Sequence, residues 1–252
     1  TFTPITESKE AFFAKAKKIR RANVMRREPV QGSSQAIFPH TGSPKALVIL
    51  AEYQDKKFSI KDPKRSFNQY LNKEEGKQEE FGYRESKNYG SVRQYFSEMS
   101  YGQFTPQFDI VGPVTLPEDM TYYGGTSSKG NDERTAQMVV DACELVKDSV
   151  DFSLYDSNND GYVDLVYVIY AGYGQSMGAA NNTVWPQATY VRSQAEYNGK
   201  KIYRAGVNNE LIGNENTFNG EPAITGLGLF IHEFSHCLGL PDFYASTLTS
   251  SI

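Results

Sequence analysis

Eleven consecutive residues, His232-Glu233-Phe234-Ser235-His236-Cys237-Leu238-Gly239-Leu240-Pro241-Asp242, restrict this chain more than any other stretch. Two histidines four apart on a helix lie one above the other on one face, so both imidazoles can reach a single ion. Imidazole pairs at this spacing suit zinc. Glu233, one residue along, turns toward the edge of such a site, where a carboxylate can hydrogen-bond a water on the metal instead of binding the metal itself. A catalytic zinc takes three protein ligands plus water, so a third is needed. Gly239 supplies the left-handed conformation that ends a helix, and Pro241 prevents the helix from resuming. The turn is predicted to bring Asp242 back as the third ligand. Two of the chain's three histidines lie here, and no glutamate follows Glu233, which leaves Asp242 as the best-placed carboxylate. The competing reading is a buried helix whose histidines bond backbone, and the glycine and aspartate at these offsets weigh against it.

At 252 residues the chain can bury a large core and reads as one domain with an appendage. Residues 1–43 form the appendage, a helix and linker, and residues 44–252 form the main domain. The net charge of −4, with no basic stripe interleaved with aromatics, gives no reason to expect nucleic acid. No apolar run is long enough to span a bilayer. The chain starts at Thr1 without an initiator methionine and reads as a mature or trimmed product. Cys143 and Cys237 both fall in predicted helices with apolar neighbours. They read as buried thiols, with a disulfide between them the alternative. Cys237 points about 100° away from His236 around the helix, which argues against it as a metal ligand.

Residues 7–22 read as an amphipathic helix with Phe12, Phe13, Ala16 and Ile19 on one side. The aperiodic, Pro- and Gly-containing run 23–44 reads as a linker. Helix and linker together could be the remnant of a pro-segment covering a cleft, or a structural arm on the domain's back. The main domain opens with a strand at 45–53, buried on both faces. A helix follows near 63–71, with proline in its first turn, and then a charged loop at 74–85. Ser91 is predicted to cap a helix with Val92, Tyr95, Phe96 and Met99 on one face. Residues 104–111 alternate as a strand that ends at Gly112-Pro113. Residues 133–150 are predicted helical, with Met138, Val139, Ala142, Leu145 and Val146 inward.

Residues 156–164 carry Asp156, Asn158, Asp160 and Asp164 at positions one, three, five and nine of a calcium-type loop. Gly161 stands at position six, and the Tyr162 carbonyl would fill position seven. Position twelve is Tyr167, not glutamate, and the chain runs on into a strand, so this is no EF-hand. It reads as a calcium-stabilised strand entrance or as an Asx-rich turn whose side chains bond backbone amides. Residues 162–171 are the most strand-like run in the chain and are predicted central. Residues 183–191 and 201–207 follow as strands joined through the favoured hairpin turn Asn198-Gly199. From chain order alone, residues 201–210 are expected to line the cleft and pair with an extended substrate. The small residues of 225–231 open the metal helix, as close packing or substrate approach would require.

The motif H-E-x-x-H-x-x-G-x-x-D, here HEFSHCLGLPD followed by Phe243-Tyr244, resembles that of the immune inhibitor A-like family of secreted zinc metalloproteases, a metzincin-type group. Further segments resemble the same family: KALVILAEYQDKKF, GSVRQYFSEMSYGQFTPQFDIVGPVTLP, Tyr122-Tyr123-Gly124-Gly125 and VDFSLYDSNNDGYVDLVYVIYAG. The resemblance implies an α+β (α/β-like) zincin: a twisted mixed sheet, backing helices and an active-site helix. It implies His232, His236 and Asp242 as zinc ligands and Glu233 as general base. Protein or peptide substrates, secretion, a zymogen stage and calcium dependence are implied as well. The chain departs from the metzincin pattern after Asp242, where the ten remaining residues contain no methionine for the turn beneath the zinc. The expected activity is therefore that of a zinc endopeptidase. Its rivals are an inactive zincin-like binding or scaffold protein and a zinc hydrolase of a non-peptide substrate.

Overall fold

Residues 46–51 are all inaccessible to solvent, and they form the middle of β1 (Lys45–Glu52). A strand buried on both faces needs apolar side chains on both, and an uninterrupted apolar run meets that need. The computed structural model describes residues 38–74, 88–125, 132, 134–192 and 195–242. Within them the chain is α+β. Helices α1 (Pro63–Asn72) and α2 (Val92–Met99) precede β2 (Gln107–Thr115), and α3 (Met120–Tyr123) and α4 (Thr135–Val146) precede β3 (Val166–Tyr173). The edge strand β4 (Gln187–Tyr190), the small hairpin β5 (Glu196–Tyr197) and β6 (Lys200–Lys201), β7 (Arg204–Leu211) and α5 (Leu227–Cys237) complete the order.

Five strands form one mixed sheet in the order β2-β1-β3-β7-β4. β1 runs parallel to β2 and β3, β3 runs parallel to β7, and only β4 is antiparallel. Alternate side chains divide two cores. Leu47, Ile49, Val166, Val168 and Val207 face α4 with its Met138, Val139, Ala142 and Cys143. Val48, Leu50, Tyr167 and Ile169 face α1, α2 and α5 through Phe67, Tyr70, Phe96, Phe230 and Phe234.

Several expectations are corrected. Residues 201–210 do not form a free cleft strand: Lys200–Lys201 belongs to the hairpin, and β7 is paired on both sides, by β3 and β4. A strand with both edges occupied has no backbone groups left for a further strand, and among the described residues the sheet edge on this side is β4. β2 continues through Gly112-Pro113 to Thr115. Gly112 makes this continuation possible, because its φ is +94° and a Cβ there would stand 2.6 Å from the Leu50 carbonyl oxygen. Tyr95, Met99 and Leu145, read as inward, are exposed, since α2 and α4 bury narrower stripes than their patterns suggested. β3 begins at Val166 instead of residue 162, because the segment before it bonds to Lys201 and Tyr155 outside the sheet. Gly226 and Gly228 face open space, so close packing does not require them. The turn through Asn198 and Gly199 is present, with φ of +51° and +73°, but it joins the short strands β5 and β6 instead of residues 183–191 and 201–207. The helix read at 7–22 lies outside the described residues.

Candidate metal centre

At 100° per residue, Phe230 and Phe234 share one stripe of α5, and His232 and His236 point to the opposite side. The phenylalanines are fully buried. Phe230 stacks on Tyr167 at 4.1 Å between ring centroids, and Phe234 meets Phe38, Phe96 and Phe108 at 5.2–5.4 Å. This anchorage leaves the histidines facing outward. Glu233 and Cys237 flank the buried stripe and are both buried.

Strand β7 acts as a rail beneath this helix. At one end the Thr225 amide donates to the Glu210 carbonyl (2.8 Å). At the other, Arg204 Nη1 donates to the Cys237 carbonyl (2.7 Å). The helix therefore runs antiparallel to β7 along its length. Between the two ends lies Gly206, where a Cβ would stand 2.4 Å from the Tyr167 ring and 3.1 Å from Cys237 Sγ. Gly226 offers no side-chain cap, and Asn88 closes the helix start instead. Its Oδ1 accepts from Leu227 N–H, and its Nδ2 donates to the Thr225 carbonyl, both at 3.1 Å.

The helix ends in a Schellman turn. Leu240 N–H donates to the Ser235 carbonyl and Gly239 N–H to the His236 carbonyl, with Gly239 at φ +89°. The Leu240 carbonyl lies 2.8 Å from His236 Nδ1. A carbonyl only accepts, so Nδ1 carries the proton and the Nε2 lone pair faces outward. There His236 Nε2 stands 3.2 Å from His232 Nε2. Asp242 Oδ1 lies 3.1 Å from the first and 3.5 Å from the second. Ligands about 2.0–2.1 Å from a tetrahedral zinc are separated by about 3.3 Å. The three donors therefore form one face of a tetrahedron of the right size.

Glu233 is also within reach, its carboxylate lying within 4.8 Å of both imidazoles. It is 6% exposed. Burial pushes its carboxyl up to about 8, Asp242 adds to the rise, and a hydrogen bond from Ala188 N–H opposes it. Ala188 lies on β4, which among the described residues pairs only with β7. The carboxylate is thus placed between the sheet edge and the imidazoles.

Residues 39–251 match the family described as immune inhibitor A peptidase M6, catalytic domain. That span is most of the chain. The chain belongs to the immune inhibitor A peptidase family. Among curated relatives it is similar to immune inhibitor A of Bacillus thuringiensis subsp. alesti, 26% identical over 243 residues, covering 81% of this chain and 34% of that protein. It is also similar to the pre-pro-metalloprotease PrtV of Vibrio cholerae serotype O1, 24% identical over 184 residues, covering 65% of this chain and 20% of that protein. The chain therefore spans about a third of the length of the first of these relatives and a fifth of the second. No helix among the described residues is long and apolar enough to cross a membrane.

The loop at 156–164 lies elsewhere, before β3. Asp156 accepts from Asp160 and Gly161 amides, Asn158 from Asp160, Asp160 from Tyr162, and Asp164 from Ser157, all at 3.0–3.1 Å. Lys200 Nζ stands 2.7 Å from Asp156 Oδ2, while the buried Asp164 Oδ1 has no hydrogen-bond partner. Cys143 and Cys237 are free and buried on opposite faces of the sheet. Sequence reasoning missed Ala188, Arg204, Gly206 and Asn88. The visible signal was a glycine inside a strand.

Proposed function

We propose that this member of the immune inhibitor A peptidase family is a zinc endopeptidase that hydrolyses protein chains. The observation that carries the reading is the triangle of His232 Nε2, His236 Nε2 and Asp242 Oδ1, with sides of 3.1–3.5 Å and the buried carboxylate of Glu233 beside it. Two imidazoles and a carboxylate suit zinc in charge, number and spacing. Zinc held there would polarise the scissile carbonyl and acidify a water.

The chain's own groups account for the rest. Glu233 accepts the proton of the attacking water and returns it to the leaving amine. The Ala188 amide and the surrounding burial hold that carboxylate in place before the reaction, so little reorganisation is needed. The Leu240 carbonyl fixes the His236 tautomer. Along β4 the outer backbone edge offers an extended peptide the hydrogen bonds that β7 cannot.

The test separates metal from base. Glu233→Ala keeps zinc and loses hydrolysis of a generic protein substrate; near-wild-type turnover would remove the mechanism. Asp242→Ala loosens zinc, and unchanged affinity would show that another group is the third ligand. The Vibrio relative is named a pre-pro-metalloprotease. In line with that name and with the family resemblance, we place this enzyme outside the cell, with a pro-segment in its precursor. For the loop at 156–164, the unpartnered Asp164 Oδ1 supports a structural calcium ion that displaces Lys200 from Asp156.

A further inference from the structure

Arg204 is 8% exposed, and among the described residues no carboxylate pairs with it. Its Nε is buried without a partner. A guanidinium in that position is costly unless its remaining donors are well used. They are directed at the last turn of α5. Nη1 lies 2.7 Å from the Cys237 carbonyl and 3.4 Å from the His236 carbonyl. Nη2 lies 3.4 Å from Tyr190 Oη, and the guanidinium carbon sits 5.4 Å from the centre of the Tyr190 ring.

The pattern of carbonyls in that turn explains the placement. Phe234 accepts from Leu238 N–H, Ser235 from Leu240 N–H and His236 from Gly239 N–H, all within the turn itself. The Cys237 carbonyl receives Arg204. A cation at the end of a helix also opposes the partial negative charge of its final carbonyls. This same turn carries two elements of the metal site: the Leu240 carbonyl that orients His236, and the chain reversal that delivers Asp242.

We propose that Arg204 is a positioning residue for the metal centre, locking the exit of α5 so that His236 and Asp242 converge on one ion. The proposal rests on reading those two residues as ligands. Arg204 touches neither the ion nor the substrate, and it acts through the backbone of residues 236–242. Lysine cannot replace it, because the contact uses a planar fork whose two ends reach a helix carbonyl and Tyr190.

The experiment is zinc affinity of the full chain by chelator competition, with the melting temperature recorded with and without zinc. Groups that support ligands from behind typically cost about 10–100-fold in metal affinity when removed. Arg204→Met is expected to weaken zinc by that factor and to shrink the zinc-induced rise in melting temperature. Arg204→Lys is expected to recover little of it, and it carries the test if the Met variant does not fold. In an Asp242→Ala background, Arg204→Met should add less than about threefold, because its route to the ion is already cut. Three outcomes overturn the proposal: unchanged affinity in Arg204→Lys, full rescue of the Met variant's loss by Lys, or losses that multiply in the double variant. A melting temperature lowered equally with and without zinc marks a purely structural role and also overturns it. Wild-type affinity in Asp242→Ala alone would refute the ligand assignment instead, so the two failures are distinguishable.

Discussion

Gly206→Ala adds one methyl group where the rail meets the metal helix. The new carbon would stand 2.4 and 2.6 Å from two carbons of the Tyr167 ring and 3.1 Å from Cys237 Sγ. Carbon pairs rest at about 3.5–4.0 Å, so the overlap with the ring is more than 1 Å. The ring cannot swing away cheaply, since Tyr167 is fully buried and stacked on Phe230 at 4.1 Å. Overpacking of this kind costs about 1–3 kcal/mol, and replacing a strand glycine returns about 0.5–1 kcal/mol of it. The net expectation is a loss of about 1–2 kcal/mol. For a domain of this size that lowers the melting temperature by about 2–8 °C. Relief of the clash pushes α5 off the sheet, so zinc affinity should fall with stability. The assay is thermal and urea unfolding of the metal-free protein, followed by a zinc competition titration. Tyr167→Leu supplies the internal control: with the ring gone, Gly206→Ala should cost less than half as much. Equal costs in the two backgrounds, or no cost in either, would refute the packing argument.

Asn88→Ala removes both side-chain bonds at the start of α5 and should cost about 1–2 kcal/mol in urea unfolding. A stability equal to wild type would show that the helix start is held by other groups. Lys200→Met should destabilise the protein at neutral pH and flatten its acid limb. Asp156 is the reason: set against the upward push of burial, the Lys200 hydrogen bond and the Gly161 and Asp160 amides hold its carboxyl below the usual aspartate value. A depressed folded pKa contributes stability that is present above the unfolded value of about 3.9 and is lost as pH falls through the folded one. Urea midpoints between pH 6 and pH 2.5 should therefore fall less steeply in the variant, and parallel curves would sink the argument. Stripping the protein with a chelator removes binding free energy. With zinc at a hundred times its dissociation constant the loss is about 2.7 kcal/mol, or about 5–10 °C in melting temperature. An unchanged melt would mean that no ion is bound at those conditions.

The helix of the candidate metal centre and the convergence of its donors were legible in the sequence because their geometry is local. The i, i+4 spacing of His232 and His236, the glycine that ends the helix and the aspartate after Pro241 lie within eleven residues, and backbone stereochemistry alone nearly dictates their arrangement. The buried strands β1 and β3 were legible for a similar reason, each having an uninterrupted apolar or aromatic run at its centre. Tyr95, Met99 and Leu145 were misplaced because a helical pattern gives the direction of the buried stripe but not its width, which depends on how closely the sheet approaches.

The misreading of residues 201–210 shows what order along a chain cannot supply. Both β4 and β7 precede the metal helix, and either could have been the strand at its side. What separates them is pairing: β7 takes β3 on one edge and β4 on the other, and among the described residues this leaves β4 outermost. That arrangement gives the two strands different duties. β7 is immobilised on both sides and so can hold the helix by its ends, at Glu210 and Arg204, with a glycine between them to bring the two backbones close. Among the described residues β4 pairs only with β7, and it lies beside Glu233, whose carboxylate accepts from the Ala188 amide. On the proposed reading a single strand could not do both, because the hydrogen bonds that make a rail rigid are those a substrate would need. Holding α5 against the sheet also uses contacts such as Asn88 to Leu227, 139 residues apart in the chain, and no local pattern in the sequence announces them.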